Sequence, residues 1–300
     1  MTDIIIIGAG PAGLTAAIYA QRAGKTVLIL EARAYGGQIL NTPEIDNYPA
    51  LPGVSGFEFA TKLYEQARSF GAEVKFEAAV SIEDKGDIKT VTTSKNNSYD
   101  CSAVILATGA KNRPMGLDRE QELIGKGISY CATCDGMFFR RKEVAVFGGG
   151  NTAVEDALLL SQYCAKVTVI HRRDKFRADE ADVEKLRAKE NVEFVLDSTV
   201  TKLIADDKLT AIEVTNKIDG TTREIPVSGL FVAIGQMPDN TAFANVVTLD
   251  DKGYISSGEN CRTKTRGIYT AGDCRTKEVR QLTTAAADGA VAALAACSEM

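Results

Sequence analysis

The sequence predicts an α/β protein made of two Rossmann-like domains, the second inserted into the first. A strand, a glycine turn and a helix open the chain, the same arrangement recurs from Glu143, and a further strand with a glycine turn follows at Ile268–Gly272. A glycine turn between an apolar strand and a helix is the form of a dinucleotide-binding βαβ unit, so each domain is predicted to bind a dinucleotide. Because this last strand and turn follow the second unit, we expect the C-terminal part of the chain to complete the first domain.

Composition narrows the class of protein. The 300 residues are enough for two hydrophobic cores, and 45% hydrophobic with 25% charged residues is typical of a globular protein. The net charge of -5 disfavours a nucleic-acid or anionic-membrane surface, and the single histidine excludes a metal centre built on several histidines. The first residues lack a basic region and a long apolar run, and the seven cysteines are scattered. We therefore expect a cytoplasmic protein without a membrane span.

The first domain begins with the strand Asp3–Ile7, the turn Gly8-Ala9-Gly10-Pro11-Ala12-Gly13 and a helix that extends to Ala23. The strand Thr26–Leu30 follows and leads directly to an acid, Glu31. The glycines allow a tight turn and close backbone approach, the helix N-terminus faces a pyrophosphate, and the acid binds ribose hydroxyls. The alternative interpretation is a glycine-rich turn in an ordinary α/β core.

The second domain repeats this order with a different residue at the ribose position. Its turn is Gly148-Gly149-Gly150-Asn151-Thr152-Ala153, and 23 residues separate Gly8 from Glu31 and also Gly148 from His171. At that position the sequence reads His171-Arg172-Arg173-Asp174-Lys175-Phe176-Arg177. Arginines there accommodate a 2′-phosphate, so the first domain is predicted to hold FAD and the second NADPH in preference to NADH. The alternative for the basic run is a solvated surface at the end of a strand.

Three further strands are predicted to end at glycines. The strand Ala103–Ala107 leads to Thr108-Gly109, Gly229–Ile234 leads to Gly235, and Ile268–Ala271 leads to Gly272-Asp273. Glycine at such a position permits close approach of the backbone to a nucleotide. We expect Asp273 to meet ribityl or phosphate oxygens.

The order of these segments sets the expected domain limits. Residues 1–112 are predicted to form the first part of the FAD-binding domain, 113–243 the NADPH-binding domain, and 244–300 the second part of the FAD-binding domain. Segments 74–76, 89–94 and 209–216 are rich in β-forming residues with polar interruptions and are expected in small antiparallel sheets.

A cysteine pair precedes the second glycine turn, in Ser129-Tyr130-Cys131-Ala132-Thr133-Cys134-Asp135-Gly136. Such a C-x-x-C can be half of a zinc site, a redox dithiol or a coincidence. No other cysteines form a close pair, so four zinc ligands are lacking, and the redox interpretation is favoured. Asp135 beside Cys134 is the expected proton carrier, with a helix N-cap as its alternative role.

The cofactors and the cysteine pair together predict a reaction class. NADPH donates a hydride, a flavin accepts and returns two electrons, and an adjacent disulfide takes both as a dithiol. The sequence contains no second close cysteine pair, so Cys131 and Cys134 are expected to meet the external acceptor. We expect the inserted domain to rotate on its two linkers between the two half-reactions.

The full set of motifs resembles the low-molecular-weight thioredoxin reductases of bacteria. The resemblance rests on GAGPAG with Glu31, Gly36-Gly37-Gln38, Ala107-Thr108-Gly109, CATCDG, GGGNTAVEDA, HRRDKFRA, Gly229 to Gly235, AGDC and Arg280-Gln281. It implies a cytoplasmic homodimer in which Cys134 lies nearest the flavin and Asp135 is the acid.

The resemblance also implies the cofactor contacts. FAD would be bound by Gly8, Gly10, Pro11, Ala12, Gly13, Glu31, Ala32, Gly36, Gly37, Gln38, Asn47, Thr108, Gly109, Asp273, Arg280 and Gln281. NADPH would be bound by Gly148, Gly150, Asn151, Thr152, Ala153, His171, Arg172, Arg173 and Arg177, with Gly235 at the neighbouring strand end.

The predicted function is therefore NADPH-dependent reduction of the disulfide of thioredoxin. Two alternatives stay open at this point. The same chemistry could serve another dithiol partner, such as a glutaredoxin-like protein or a peroxiredoxin system. The chain could also be a flavin-containing redox sensor whose cysteine pair only reports oxidation.

Overall fold

The structure of the protein is a computed structural model that describes residues 1–42 and 44–300. The strands are β1 (Thr2–Ile7), β2 (Val27–Leu30), β3 (Glu73–Lys75), β4 (Ala79–Asp84), β5 (Lys89–Thr93), β6 (Ser98–Leu106), β7 (Ala110–Asn112), β8 (Ile128–Ser129), β9 (Glu143–Gly148), β10 (Lys166–Ile170), β11 (Val192–Val195), β12 (Ser198–Ala205), β13 (Leu209–Asn216), β14 (Thr222–Pro226), β15 (Gly229–Ala233), β16 (Gln236–Pro238) and β17 (Ile268–Thr270). The α-helices are α1 (Pro11–Arg22), α2 (Gly56–Ser69), α3 (Glu120–Leu123), α4 (Ala132–Asp135), α5 (Asn151–Ser161), α6 (Glu180–Arg187) and α7 (Leu282–Ser298). Short 3₁₀ turns occupy Gly37–Asn41, Gly136–Phe139, Thr241–Phe243 and Gly272–Cys274.

The chain divides into two compact units. The outer unit consists of Met1–Lys111 and Met237–Met300, and the inserted unit of Asn112–Gln236. The chain returns to the outer unit at Met237, seven residues earlier than the sequence-based limit, so residues 237–243 belong to the outer unit. The reason is Asn240, a buried side chain whose amide donates to the carbonyls of Gly253 and Cys274 in that unit. The two crossings, β7 and β16, form a two-stranded sheet.

The outer unit is built on a seven-stranded sheet. Its order is β3-β2-β1-β6-β5-β4, with β17 also paired to β6. Strands β1, β2, β3, β6 and β17 are parallel, which explains the uninterrupted apolar runs, because a parallel sheet is covered on both faces. Ile4 and Ile6 of β1 lie in one core with α1 and α7, whereas Ile5 and Ile7 lie in a second core on the opposite face.

One segment of the outer unit differs from the expectation drawn from the sequence. The expectation of an antiparallel sheet at 74–76 was wrong, because β3 follows the crossover helix α2 and therefore joins β2 in parallel. The alanine-rich C-terminal segment forms α7, which packs on α1. Gly289 permits this close packing, since a Cβ there would lie 2.2 Å from the Ala12 carbonyl oxygen.

The inserted unit is a five-stranded parallel sheet with the order β11-β10-β9-β15-β8. One face is covered by α5 and α6 through a core that includes Val144, Val146 and Leu160. The other face packs under the antiparallel sheet β12-β13-β14, which includes the predicted segment 209–216. The α/β class with two Rossmann-like units, one inserted in the other, is thus confirmed.

No helix within the described ranges 1–42 and 44–300 has the length and apolar character needed to cross a membrane.

Candidate active site

The glycine turn of the outer unit lies between β1 and α1 and opens a space at the helix N-terminus. Gly8 has φ +109°, and a Cβ on it would lie 2.3 Å from the Ala107 carbonyl oxygen. A Cβ on Gly13 would lie 1.9 Å from the Gly8 carbonyl oxygen. Gly10, the N-cap of α1, is extended with φ -77° and has no neighbouring atom within 4 Å of the Cβ position. Two glycines therefore close the turn, and the third leaves room for a ligand at the free N–H groups of α1.

Glu31 and the Gly36-Gly37 pair are joined to this turn. The Ala9 N–H donates to Glu31 Oε2 over 2.8 Å, and the Arg33 N–H donates to Oε1 over 2.8 Å. The Gly36 N–H donates to the Ala9 carbonyl oxygen over 2.7 Å, and a Cβ on Gly37 would lie 3.4 Å from the Gly10 Cα. A carboxylate offers about four lone-pair positions, so Glu31 can still accept hydroxyl groups of a ribose.

Asp273 lies in the 3₁₀ turn that follows β17. Its side-chain Oδ1 is buried and has no hydrogen-bond partner among the residues described, and burial raises the pKa of its carboxyl group. The adjoining Gly272 approaches α1, since a Cβ on it would lie 2.8 Å from the Ala12 Cβ. A buried acceptor without a donor is costly, so Asp273 is suited to receive a hydroxyl group of a ligand.

The other predicted contacts of the outer unit surround these groups. Thr108 Oγ1 donates to Asn240 Oδ1 over 2.7 Å, next to the open position at Gly109. The Arg280 guanidinium lies 4.2 Å from the centre of the Tyr254 ring, and Asn47 Nδ2 donates to Gln281 Oε1 over 3.2 Å. Gln38 Nε2 donates to the Ala110 carbonyl oxygen, Pro11 is the first residue of α1, and Ala32 is exposed after Glu31. The glycine cradle, the acid and the unpaired Asp273 oxygen together fit a dinucleotide.

The inserted unit repeats the glycine turn. A Cβ on Gly148 would lie 2.3 Å from the Ala233 carbonyl oxygen and 2.8 Å from the Ala153 Cβ. Gly150, the N-cap of α5, is extended with φ -99° and faces open space, as does Gly235 with φ +105°. The first residues of α5, Asn151 and Thr152, are exposed. The geometry matches that of the outer unit and likewise leaves a helix N-terminus open.

The basic loop after β10, His171–Arg177, lies beside this turn. Arg172, Arg173 and Arg177 are exposed, and their guanidinium groups form no ion pair within the described part of the chain. The Arg177 N–H donates to the Gly149 carbonyl oxygen over 2.8 Å, which attaches the loop to the turn. Three unpaired cations at a strand end are suited to a phosphate group.

His171 occupies a different place from its neighbours. It is buried, its ring stacks on Phe176 at 5.3 Å, and its Nε2 lies 3.1 Å from the Lys175 carbonyl oxygen. A Cβ on Gly149 would lie 2.1 Å from this ring, so the imidazole packs directly against the turn. Burial lowers the pKa of His171, the hydrogen bond to the Lys175 backbone opposes this shift, and the charges of the three arginines add to it. In the structure His171 therefore positions the basic loop on the glycine turn.

Cys131 and Cys134 form a disulfide with a Cα–Cα distance of 5.3 Å. Cys131 is the N-cap of the short helix α4, and Asp135 is its last residue. Asp135 Oδ2 accepts a hydrogen bond of 2.6 Å from Ser129 Oγ, while Oδ1 is buried without a partner among the described residues. Burial raises the pKa of Asp135, and the Ser129 hydroxyl opposes this rise. Asp135 also occupies the N-cap position of the 3₁₀ turn Gly136–Phe139, but its side chain makes no capping hydrogen bond there.

A protein-family model described as pyridine nucleotide-disulphide oxidoreductase matches residues 2–289. The chain is 43% identical to the thioredoxin reductase of Listeria monocytogenes over 291 residues, which are 97% of this chain and 91% of that protein. The chain belongs to the thioredoxin reductases of this family.

Two solved thioredoxin reductases extend the comparison to structure. That of Streptococcus pyogenes superposes with a TM-score of 0.94 at 40% identity, covering 100% of this chain and 98% of the other. That of Lactococcus lactis, described as the FR conformation, superposes with a TM-score of 0.69 at 38% identity and covers both chains fully.

Two residues that connect the turns of the outer unit were not found from the sequence. Asn240 connects the Thr108 turn to the Cys274 turn, and Asp288 of α7 accepts from the Gly272 N–H, Arg275 and Lys277. Both act through contacts distant in the sequence, so no local motif marks them. The acid within the C-terminal alanine run was the one available signal for Asp288.

The remaining five cysteines are free thiols. Cys101, Cys164, Cys261 and Cys274 are buried, and Cys297 is half-buried. No cluster of three or more potential metal ligands occurs in the described portion of the chain.

Proposed function

We propose that the protein is an NADPH-dependent thioredoxin-disulfide reductase in which electrons pass from NADPH to FAD, then to the Cys131–Cys134 disulfide, and then to oxidised thioredoxin. The observation that carries this proposal is the disulfide itself, joined by Ser129 to a buried carboxyl group in the same unit as an open glycine turn. A disulfide beside a proton donor can accept an electron pair and return it to another disulfide.

The two units are assigned different dinucleotides. FAD is proposed for the outer unit, where Glu31 reaches the glycine turn and Asp273 offers a free acceptor. NADPH is proposed for the inserted unit, where Arg172, Arg173 and Arg177 are exposed, form no ion pair with the residues described, and belong to the loop attached to Gly149. An acid at the ribose position selects hydroxyl groups, whereas arginines select a 2′-phosphate.

The role of Cys134 rests on the resemblance to bacterial thioredoxin reductases, and that of Asp135 on the resemblance and on its burial. Cys134 is proposed as the sulfur nearest the flavin, and Asp135 as the group that delivers and removes a proton. The raised pKa of Asp135 suits this role, because the carboxyl group holds its proton to a higher pH than an exposed aspartate does.

A rotation of the inserted unit between the half-reactions is part of the proposal. It is supported by the solved relatives, which share 40% and 38% identity with this chain yet superpose with TM-scores of 0.94 and 0.69. Nearly equal sequence similarity with such different superpositions indicates that the overall conformation varies among thioredoxin reductases.

The proposal also includes a homodimer in the cytoplasm. Both features derive from the resemblance to bacterial thioredoxin reductases. Light scattering of the purified protein tests the dimer directly, and a single-chain mass of 32.1 kDa at micromolar concentration would refute it.

Substitution of the proposed flavin-proximal sulfur tests the electron path. Cys134→Ser is expected to retain flavin reduction by NADPH and to abolish thioredoxin reduction, because a single thiol cannot form the intramolecular disulfide. Cys297→Ser, which alters a half-buried cysteine outside the pair, is the matched control and should keep full turnover. Stopped-flow absorbance of the flavin and turnover with thioredoxin are the two measurements.

The outcomes separate the candidate functions. Thioredoxin turnover by Cys134→Ser would overturn the assignment of the disulfide. Wild-type flavin reduction without thioredoxin turnover would redirect the proposal to another dithiol partner, such as a glutaredoxin-like or peroxiredoxin protein. No turnover with any of these proteins would favour a flavin redox sensor.

A further inference from the structure

Ser129 lies between the disulfide and the proposed acid. It ends strand β8, is only 4% exposed, and pairs with Phe231 of β15 in the parallel sheet. The sheet therefore fixes its backbone, and burial limits its hydroxyl group to partners within the protein.

The Ser129 hydroxyl makes two well-defined hydrogen bonds. Its Oγ accepts from the Cys131 N–H over 3.1 Å and donates to Asp135 Oδ2 over 2.6 Å. The Cys131 carbonyl oxygen is a further acceptor at 3.3 Å. A serine hydroxyl has one proton, and the shorter contact to the carboxyl oxygen directs that proton to Asp135.

This arrangement makes the two carboxyl oxygens of Asp135 unequal. Oδ2 accepts the hydroxyl proton, whereas Oδ1 is buried and has no partner in the described residues. We propose that Ser129 is a positioning residue for proton transfer: it holds Oδ2 as an acceptor, so that Oδ1 is the oxygen that carries the proton used by the disulfide. The inference rests on the proposed role of Asp135.

The proton balance gives Oδ1 a defined task. Reduction breaks the S–S bond, oxidises NADPH to NADP⁺ and yields two thiols. The electron pair and one proton come from NADPH, and the second proton comes from solvent. Asp135 Oδ1 passes one proton to the sulfur released by S–S cleavage, and the carboxylate is then reprotonated by solvent.

The neighbouring titratable groups limit what a pH profile can report. Helix α4 packs against α5 and the 3₁₀ turn Gly136–Phe139. Helix α5 carries Glu155, which is exposed, and Asp156, whose pKa is raised by burial to about 7. The Tyr163 hydroxyl approaches Gly136, but burial raises the pKa of Tyr163 to about 12. Asp156 is therefore the group whose titration must be separated from that of Asp135.

The experiment measures reduction of the enzyme's own disulfide in the flavin-loaded protein. NADPH is mixed anaerobically between pH 6 and 9.5, the reaction is quenched with an alkylating reagent, and labelled Cys131 and Cys134 are counted by mass spectrometry. Ser129→Ala is expected to slow disulfide reduction about tenfold at pH 7, because the acid loses its orientation. The pH above which disulfide reduction slows, the alkaline limb of the rate profile, should rise by about one unit. The hydrogen bond from Ser129 stabilises the ionised carboxylate, so its loss raises the pKa of Asp135.

Matched variants test whether the effect depends on the Ser129 hydroxyl group. Ser129→Thr retains a hydroxyl group and should keep the wild-type limb. Ser198→Ala removes another buried hydroxyl of the inserted unit, one that donates to the Leu196 carbonyl oxygen, and should leave the profile unchanged. Asp156→Asn should leave the limb shift caused by Ser129→Ala intact. All variants should retain wild-type rates of flavin reduction.

A double-mutant cycle gives the deciding result. If Ser129 acts through Asp135, adding Ser129→Ala to Asp135→Asn changes the rate by less than twofold. An additive tenfold loss, an unmoved limb in Ser129→Ala, or equal shifts in the alanine and threonine variants would overturn the inference. Wild-type rates in Asp135→Asn alone would instead overturn the proposed role of Asp135.

Discussion

Among the described residues, two buried side-chain oxygens lack a hydrogen-bond partner. They belong to Asp135 in the inserted unit and Asp273 in the outer unit. Proteins leave few such atoms unpaired, because each costs free energy. At Asp135 the second oxygen is held by Ser129, which suits a proton donor. At Asp273 the adjoining Gly272 lies close to the start of α1, which suits a ligand bound at the free N–H groups of that helix. An unpaired carboxyl oxygen is therefore suited to proton transfer in the inserted unit and to ligand binding in the outer unit.

Asp273→Ala is expected to weaken flavin binding more than tenfold without lowering the melting temperature of the apoprotein. One hydrogen bond to a charged group contributes about 1.5–3 kcal/mol, whereas removing an unsatisfied buried oxygen relieves a cost. Flavin titration and thermal unfolding of the apoprotein measure the two effects. Asp251→Ala, at an exposed turn, is the control, and equal flavin affinity in both variants would contradict the role of Asp273.

Individual residues also show where sequence reasoning stops. The register argument located His171 at the ribose position, but the structure buries its ring between Gly149 and Phe176. Its predicted nucleotide contact stays a prediction. Similarly, the motif indicated Asp135, but not the Ser129 hydroxyl that binds it, because side-chain direction depends on how β8 and α4 meet.

At the scale of elements, each strand, glycine turn and helix forms a unit whose glycines have separate tasks. Gly8 and Gly148 approach carbonyl oxygens at distances that a Cβ cannot tolerate, whereas Gly10 and Gly150 face open space. These βαβ units could be predicted from the sequence because the strand, the turn and the helix are contiguous. The parallel placement of β3 could not, because a three-residue strand carries too little pattern to define its partner.

The two kinds of glycine predict opposite outcomes. Gly8→Ala is expected to destabilise the outer unit by about 2 kcal/mol or more, through a positive φ and a clash with Ala107. Gly10→Ala should change stability by less than about 1 kcal/mol and yet weaken flavin binding, because the methyl group enters the open space. Denaturant unfolding of the apoprotein and flavin titration test the pair. Similar unfolding of both variants would refute this division.

The basic loop predicts nucleotide selectivity. Arg172→Ala combined with Arg173→Ala should raise the KM for NADPH at least tenfold, since each charge-assisted contact contributes about 1.5–3 kcal/mol. The KM for NADH should change little. Arg223→Ala, which removes an exposed arginine paired with Glu193, is the control. Steady-state kinetics with NADPH and NADH measure both KM values. Equal increases in the two KM values would contradict a 2′-phosphate site.

At the scale of the whole molecule, each unit has its own cores. The inserted unit encloses two apolar clusters, one on each face of its parallel sheet. The repeated register predicted this division, but not the second limit, because the contacts of Asn240 bring 237–243 into the outer unit. A limit set by long-range hydrogen bonds has no local signature.

The separate cores predict that residues 112–236 fold alone. The fragment should unfold cooperatively and bind NADPH more tightly than NADH, without retaining flavin. Circular dichroism on heating and titration of nucleotide fluorescence test this. The fragment carrying Arg172→Ala and Arg173→Ala is the control for selectivity, and a fragment without a cooperative transition would contradict the prediction.

The paired crossings β7 and β16 have a consequence for engineering. Paired strands lie about 4.8 Å apart, so the backbone leaves the outer unit and returns to it through neighbouring points. A short glycine linker from Lys111 to Met237 can therefore close the outer unit over the excised segment. We expect the same two points to accept a foreign domain whose termini are close together.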